Sequence, residues 1–429
     1  MDTISGQPLT RAQERKAVFA ATIGCGLEFY DFLTFAFFAI QIGETFFPSE
    51  SSYLSLMGSL ATFGAGFLGR PLGAWVLGGY GDRAGRKPAM LLSMTMMGVA
   101  IAVLALTPGY ATIGIAAPII VIVARFVQGI ALGGEIGSAT VYMLEAGSIE
   151  RRGRNAAYQG VCQGVSLSLG ALVGFGLSAW LTPAELASYG WRIALLLGVS
   201  IVPFALMLRR TLPETQGCEE PDMPAMTDGP SFRQIVWLGS SLMAAGTVVT
   251  YFQSYMVTFG QRQLHLTTQA SMAGQLVGNV MIIVAALIGG AASDKWGRKP
   301  VIVWPQLCLV LTIVPILTWL ETAPSLGAFL AINIALGMFN NVTSAPLYAT
   351  IAESLTAERR AKGFALIYSV PVTIFGGTTQ LFITWLLEVT GSTIALGIYM
   401  TCIAALGLLA AVLLPESAPV RRGWKPAIA

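Results

Sequence analysis

The chain has 429 residues, of which 25 are basic, 22 are acidic and 55% are hydrophobic. Charged residues make up 11% of the chain, against about 25% in an ordinary soluble domain, so a soluble globular protein of this length is excluded. An intrinsically disordered chain is excluded too, because the sequence is apolar and its formal net charge is only +3. A multi-pass membrane protein remains.

Twelve apolar segments reach the length of about 20 residues that a helix needs to cross a bilayer. In chain order they cover residues 17–43, 54–80, 89–107, 112–145, 156–181, 191–208, 234–260, 271–292, 301–320, 324–351, 363–388 and 392–414. Pro118 lies early in the fourth segment, and we interpret it as part of the first helical turn, where proline is tolerated.

The loops between these segments differ in charge. On one side they carry seven groups of three basic residues: Arg11, Arg15 and Lys16; Arg83, Arg86 and Lys87; Arg151, Arg152 and Arg154; Arg209, Arg210 and Arg233; Lys295, Arg298 and Lys299; Arg359, Arg360 and Lys362; Arg421, Arg422 and Lys425. On the other side they are acidic, with Arg262 as the basic exception. Since Lys- and Arg-rich loops stay inside, both termini are predicted to be cytoplasmic, in a bacterial inner membrane.

The sequence contains an internal duplication. Residues 78–88 and 290–300 both read G-x-x-x-D-(R/K)-x-G-R-K-P, 212 positions apart. The acidic and basic residues from Glu145 to Arg154 match those from Glu353 to Lys362, and residues 212–215 match residues 414–417. We predict an N-terminal six-helix bundle over residues 1–208, a cytoplasmic linker over 209–232 and a C-terminal six-helix bundle over 233–429. These are called the N-terminal half, the linker and the C-terminal half below.

These motifs resemble those of the major facilitator superfamily, whose hallmark is the duplicated loop. Arg125-Phe126-Val127-Gln128-Gly129 resembles its R-x-x-Q-G signature. Residues 27–32 (L-E-F-Y-D-F) and residues 70–73 (R-P-L-G) resemble the metabolite–proton symporter branch, and Phe46-Phe47-Pro48 is most like its citrate and tricarballylate carriers. The resemblance implies an all-α membrane protein with twelve transmembrane helices in two parallel-repeat bundles, and a substrate site between them near the midplane.

Ionisable residues inside the membrane are candidates for function, because burying a charge there costs several kcal/mol unless the charge is paired or hydrated. The candidates for proton coupling are Glu28, Asp31, Arg70 and Glu135. A carboxylate that leaves an arginine gains affinity for a proton, so proton and substrate could compete for one guanidinium. The alternative is that these residues form permanent structural ion pairs.

Arg125 is the best candidate for an anion clamp, because a guanidinium binds carboxylates bidentately and stays charged. Tuning of the proton pathway and a structural role are its alternatives. Further candidate substrate contacts are polar residues on helices five, seven, ten and eleven. The alternative is that these residues only form hydrogen bonds between helices. The predicted substrate-binding set is Arg125, Gln128, Tyr158, Gln159, Gln163, Tyr251, Tyr255, Asn340, Asn341 and Tyr368.

The duplicated loops resemble the cytoplasmic gating network of the superfamily. Acid–base pairs in that network would stabilise one conformation and would break as the two halves rock. The alternative is that the basic residues only fix the membrane topology. The predicted gating residues are Asp82, Arg83, Arg86, Glu145, Arg151, Asp294, Arg298, Glu353 and Arg359.

The leading hypothesis is therefore secondary active import of a citrate- or tricarballylate-like acid by proton symport. Alternatives are proton-coupled uptake of 2-oxoglutarate, shikimate or betaine, a drug or metabolite exporter, and a membrane sensor. An enzyme is not expected, since no nucleophile–histidine pairing is available, and one histidine with five scattered cysteines predicts no metal site. No cofactor and no nucleic-acid partner are expected. Protons are the expected coupling ion, with sodium left as an alternative, and the chain is expected to be a monomer in the lipid bilayer.

Overall fold

The computed structural model describes residues 29–30, 32–84, 86–133, 151–210, 231–355 and 357–421. Every regular element in these ranges is helical. In the N-terminal half the long helices are α1 (described over Ala39–Phe46), α2 (Ser52–Ala84), α3 (Arg86–Leu106), α4 (Ala116–Gly133), α5 (Arg152–Trp180) and α6 (Trp191–Arg210). A helical backbone is what the bilayer demands, because it satisfies its own hydrogen bonds.

The C-terminal half has the same number of long helices. They are α7 (Phe232–Arg262), α8 (Thr268–Trp296), α9 (Arg298–Thr322), α10 (Leu326–Ser354), α11 and α12 (Thr393–Leu413). Helix α11 has three pieces, namely Ala357–Pro371, a π-helical turn at Val372–Gly376, and Gly377–Thr390. Side-chain caps fix several helix starts, with the hydroxyls of Ser231, Thr267 and Ser325 accepting hydrogen bonds from the first turns of α7, α8 and α10.

Nine helices within the described ranges are long and apolar enough to span a membrane. Tryptophans near helix ends are exposed on the surface, including Trp180 and Trp319 at one end of the bundle and Trp237 and Trp296 at the other. Such aromatic belts lie at the two membrane–water interfaces. The protein is thus an all-α, multi-pass membrane protein, as the sequence predicted.

The helices begin and end close to the predicted segments, and most extend by a turn at the basic loops. The fourth segment differs, because a short helix (Tyr110–Ile113) and Gly114, at φ +58°, separate its start from α4. Pro118 is the third residue of α4 and so lies in its first turn, as predicted. The end of that segment, residues 134–145, lies outside the described residues.

Helices α2 and α4 cross at backbone contact because both carry glycines at the crossing. A methyl group added to Gly129 would overlap the carbonyl oxygen of Gly66, and one added to Gly133 would overlap that of Arg70. Gly73 of α2 meets the backbone of Ile130 in the same way. Small residues four apart allow such close approach in membranes. This crossing fixes the relative positions of Arg70 on α2 and Arg125 on α4.

The two halves meet mainly along α5 and α8. Small residues line this contact, with Gly160 against Ala286 and Gly290 against the backbone of Gly153. We call the end of the bundle with Arg151 and Arg298 the basic end, and the end with Glu44 and Glu321 the acidic end. The α5–α8 contact runs from Gly153 at the basic end to Gly174, beside Met272, towards the acidic end.

Gly129→Ala should destabilise the protein, because the added methyl group must push α4 away from the backbone of α2. Overpacking of this kind lowers the free energy of unfolding by about 1–3 kcal/mol. The midpoint of thermal unfolding in detergent micelles measures it. Gly176→Ala on α5 is the matched control, since its methyl group meets nothing within 4 Å. Equal midpoints for the two variants would contradict the packing described.

Candidate functional site

A partly open cavity lies among α5, α7, α9, α10 and α11, and Phe29 of the first segment also lines it. Most of the residues that line it belong to the C-terminal half. The polar lining consists of amides and hydroxyls, namely Gln163, Thr247, Thr250, Tyr251, Gln306, Asn340, Asn341, Thr343, Ser344, Tyr348 and Tyr368. Among the described residues that line it, none carries a full charge. Concave sites lined by a few convergent polar groups are the usual places where small molecules bind.

Asn340 is held at the cavity by α7. Its Nδ2 donates to the Thr250 hydroxyl at 3.0 Å and to the Gly246 carbonyl at 3.3 Å. Its Oδ1 is buried and accepts no hydrogen bond within the described part of the chain. Buried polar atoms are normally paired, so this oxygen is an acceptor for a ligand or a water.

Arg125 lies behind the cavity wall, fully buried in the N-terminal half. Its guanidinium carbon is 4.3 Å from the ring centre of Phe32 and 4.4 Å from that of Phe35. Its Nη1 donates to Gln128 Oε1 at 2.6 Å. Cation–π contacts reach about 2 kcal/mol or more when desolvated. Aromatic rings therefore stabilise a charge that the bilayer interior would otherwise disfavour.

Arg70 shares this environment. Its guanidinium carbon is 4.3 Å from the ring centre of Phe67 and 4.9 Å from that of Phe32, and the side chain is 4% exposed. Phe32 thus lies against both arginines. The two guanidinium groups, from α2 and α4, therefore lie against a shared phenylalanine ring.

Phe63, Phe67 and Tyr251 separate these arginines from the cavity, and we call these three residues the aromatic wall. The ring centres of Phe67 and Tyr251 are 5.1 Å apart, and those of Phe63 and Tyr251 are 6.1 Å apart. The wall packs against the π-helical turn of α11, where Gly376 leaves room for the rings of Phe67 and Tyr251. Single π turns in long helices recur at functional sites.

Asp294 joins the two halves at the basic end. Its carboxylate accepts hydrogen bonds from the backbone N–H groups of Gly153 at 2.8 Å and Arg154 at 3.0 Å, in the first turn of α5. The N-terminus of a helix attracts negative charge, which strengthens both bonds. The same carboxylate pairs with Arg298 at 2.6 Å.

Arg298 is the centre of a buried ionic network. Its Nη2 lies 3.0 Å from Glu353 Oε1, and the Ser417 hydroxyl donates to Glu353 Oε2 at 2.6 Å. Glu416 accepts from the backbone N–H groups at the start of α9, at 2.8 and 3.1 Å. Gly297 makes the tight turn from α8 to α9 possible, since its φ of +100° favours glycine.

The two halves also touch at the acidic end. Arg262, in the last turn of α7, donates to the hydroxyl of Ser52 at 2.6 Å and to its carbonyl at 2.9 Å. Ser52 is the first residue of α2. The one basic residue of the acidic loops therefore bridges the halves.

Comparisons with known proteins agree with this architecture. Residues 16–217 match the family described as "Sugar (and other) transporter" and residues 277–428 match "Major Facilitator Superfamily". A citrate-proton symporter of Klebsiella pneumoniae is 36% identical over 92% of this chain and 90% of its own length. The chain belongs to the major facilitator superfamily.

Two further comparisons place the chain within this superfamily. The alpha-ketoglutarate permease of Escherichia coli strain K12 is 33% identical over 95% of both chains. The xylose transporter XylE from E. coli, in a partially occluded inward open conformation, superposes with a TM-score of 0.74 over 94% of this chain and 100% of that one, at 15% identity. The solved structure therefore supports the major facilitator fold, and the twelve long helices within the described ranges agree with it.

Of the predicted substrate-binding residues, the structure places Gln163, Tyr251, Asn340, Asn341 and Tyr368 in the cavity wall. The other five lie elsewhere. Arg125 and Gln128 are bonded to each other behind the aromatic wall, Gln159 is buried in α5, Tyr158 is 40% exposed, and Tyr255 accepts a hydrogen bond from Thr384. Their contact with substrate stays a prediction.

Several other predictions lie outside the described residues. These are Glu28, Asp31 and Glu135 for proton coupling and Glu145 for gating, and the side chains of Asp82, Arg86 and Arg359 lie outside them as well. Arg83 and Arg151 are described and exposed. The structure therefore brings together Asp294, Arg298 and Glu353 from the predicted gating set, and it holds Arg70 beside Arg125.

The sequence analysis missed Gln306, Thr247 and Thr250 in the cavity, and Glu416 and Ser417 in the ionic network. Thr247 and Thr250 share one face of α7 with Tyr251, so their helical spacing could have indicated them. Gln306 was a visible signal too, as a lone amide in an apolar segment. Glu416 and Ser417 belong to the third duplicated motif, whose polar residues had been used only to define the repeat.

Glu353→Gln should destabilise the protein, because it removes one of the two carboxylates that neutralise buried Arg298. Breaking a buried pair costs about 3–5 kcal/mol, and we expect the lower figure because Asp294 remains. The change is measured as a lower thermal midpoint in detergent. Glu388→Gln, at the exposed far end of α11, is the matched control and should leave the midpoint unchanged. An unchanged midpoint for Glu353→Gln would show that the Arg298–Glu353 pair contributes nothing to stability.

Proposed function

We propose that the chain imports a small organic acid, of the citrate or tricarballylate type, together with protons. The observation that carries this proposal is the 36% identity to a citrate-proton symporter over 90% of that relative's length. The proposed route is alternating access, in which the halves rock about a site between them. In this proposal the chain is a transporter and not an enzyme, and it needs no cofactor.

The charge distribution around the cavity supports an anionic substrate. Arg70 and Arg125 lie behind one wall, whereas the opposite walls carry uncharged amides and hydroxyls. Charges in a low-dielectric interior act over longer distances than in water. An acid bound here would compete with the proton-carrying carboxylates for these guanidinium groups, and it would find donors and acceptors for its hydroxyl or second carboxyl group.

Proton coupling follows from the energetics of anion import. The membrane potential opposes anion entry by about 2.3 kcal/mol per charge per 100 mV. Co-transported protons cancel that charge. We propose Asp31 and Glu28 as the proton carriers, because Phe29 beside them in sequence lines the cavity. Arg70 would be the cation beside which they stay ionised, and Glu135 is a further proton-coupling candidate on the fourth helix.

We propose that Asp294 acts in gating. Its carboxylate caps α5 of the other half, so this contact must break when the halves separate at the basic end. Arg298 and Glu353 would hold the carboxylate in position, and Arg262 with Ser52 would form the corresponding contact at the acidic end. By the positive-inside rule the basic end faces the cytoplasm of a bacterial cell, with both termini on that side and the monomer as the working unit.

A second candidate substrate is 2-oxoglutarate, favoured by the 33% identity to an alpha-ketoglutarate permease. Both candidates are dianions or trianions near neutral pH, and the cavity chemistry fits either.

Uptake into proteoliposomes tests the proposal. Radiolabelled citrate, 2-oxoglutarate, shikimate and betaine should be compared with an inward proton gradient and without one. We expect citrate or 2-oxoglutarate to accumulate only with the gradient. Liposomes without protein are the control. Gradient-driven accumulation of betaine alone would reject an acid as substrate, efflux against the gradient would indicate an exporter, and no transport of any solute would favour a sensor.

Asp31→Asn tests the coupling. Since an amide binds no proton, we expect gradient-driven uptake to be lost while exchange of internal for external substrate continues. Glu44→Gln is the control, because Glu44 is an exposed carboxylate at the acidic end and should transport as the wild type does. Full gradient-driven uptake by Asp31→Asn would remove Asp31 from the proton pathway.

A further inference from the structure

We propose that the Tyr251 hydroxyl donates a hydrogen bond to a carboxylate of the substrate, and that Arg70 behind it makes this bond strong. Tyr251 would then be a specificity-determining residue, and the acid would bind with one carboxylate towards the aromatic wall. This inference rests on the proposed function and adds to it the group that recognises the anion and the orientation of the substrate.

Tyr251 occupies a position that joins the cavity to the arginines. It lines the cavity, and its ring packs edge-on against Phe67 at 5.1 Å. The guanidinium of Arg70 lies over the same Phe67 ring at 4.3 Å. Arg70 and Tyr251 therefore pack against the same ring, and a hydrogen bond between the Tyr251 phenol and Arg70 is part of the proposal. One side chain thus contacts both the cavity and the ring that lies against Arg70.

The chemistry of the two groups fixes the direction of the hydrogen bonds. A guanidinium only donates, so in a bond between them the phenol oxygen accepts from Arg70. The phenol hydrogen is then free to point elsewhere. Bonds in a chain polarise one another, so a phenol that accepts from a cation is a stronger donor. A carboxylate in the cavity is the group that such a donor suits best.

The rest of the cavity has a different character. Tyr348 and Tyr368 also line it, but their rings pack with Phe364, on the side of α10 and α11. The Oδ1 atom of Asn340 is an acceptor and disfavours a second carboxylate beside it. The cavity is therefore polarised, with an anion-binding side at Tyr251 and a side at Asn340 that suits a hydroxyl or a protonated carboxyl group.

Movement of Tyr251 is restricted by α11. A methyl group on Gly376 would lie 2.9 Å from the Tyr251 ring, so this π-helical turn holds the ring closely. This packing holds the ring in place, which is why Tyr251→Phe is a suitable test. It removes one oxygen atom and leaves the aromatic wall in place.

The experiment measures the Michaelis constant and maximal rate of citrate uptake in proteoliposomes, with 2-oxoglutarate as a second substrate. A hydrogen bond to a charged group is worth about a 10- to 100-fold change in affinity. We expect Tyr251→Phe to raise the Michaelis constant by about that factor, with the thermal midpoint unchanged. Tyr399→Phe is the control. Tyr399 of α12 packs against Phe382 of α11 and does not line the cavity, so this substitution should change neither constant.

A double-mutant cycle with Arg70→Lys tests the role of Arg70. If the two residues act together, the effect of Tyr251→Phe should be much smaller in the Arg70→Lys background than in the wild type. A Michaelis constant for Tyr251→Phe within about twofold of wild type, or independent effects in the double variant, would overturn the inference. If the wild type transports an acid and Tyr251→Phe behaves the same, only this inference fails. If the wild type transports no acid, the proposed function fails as well.

Discussion

Burying a positive charge within a bilayer is the constraint around which the centre of this protein is built. Arg70 and Arg125 each lie against phenylalanine rings, and Arg125 also donates to Gln128. For these rings to surround both cations, α2 and α4 must approach to backbone contact, which their glycines allow. The aromatic wall then separates the charges from the cavity. Packing, electrostatics and the shape of the cavity therefore all depend on how the two arginines are stabilised.

At the ends of the molecule, too, Arg298 and Arg262 are paired or hydrogen-bonded. Few ionised groups are buried in the described ranges of the C-terminal half. The ion pairs of Arg298 with Asp294 and Glu353 connect α8, α9 and α10, and Asp294 also bonds to the first turn of α5. Arg262 makes the contact at the acidic end. Arg262 and Asp294 thus connect the two halves at the ends of the molecule, and Arg70 and Arg125 are buried at its centre. The described residues that line the cavity are uncharged.

Much of the fold could be predicted from the sequence, because apolar length and loop charge respond directly to the bilayer. Pro118 in the first turn of α4 is an example. The pairing of Arg298 with Asp294 and Glu353 was instead indicated by the resemblance of the duplicated loops to the gating network of the superfamily. The cavity was harder to predict. Arg125 looked like a direct clamp, yet in the structure it lies behind rings from the first and second helices, an arrangement that depends on three-dimensional packing. The π-helical turn at Gly376 has no simple sequence signal either, although Pro371 immediately precedes it.

The most direct measurement of coupled transport is proton movement driven by the substrate alone. Proteoliposomes carrying an internal pH dye, with no imposed pH gradient, would receive citrate outside and a potassium–valinomycin clamp to hold the membrane potential at zero. Proton symport predicts that the interior acidifies as citrate enters, in proportion to the citrate taken up. Citrate entry with a constant internal pH would contradict proton coupling.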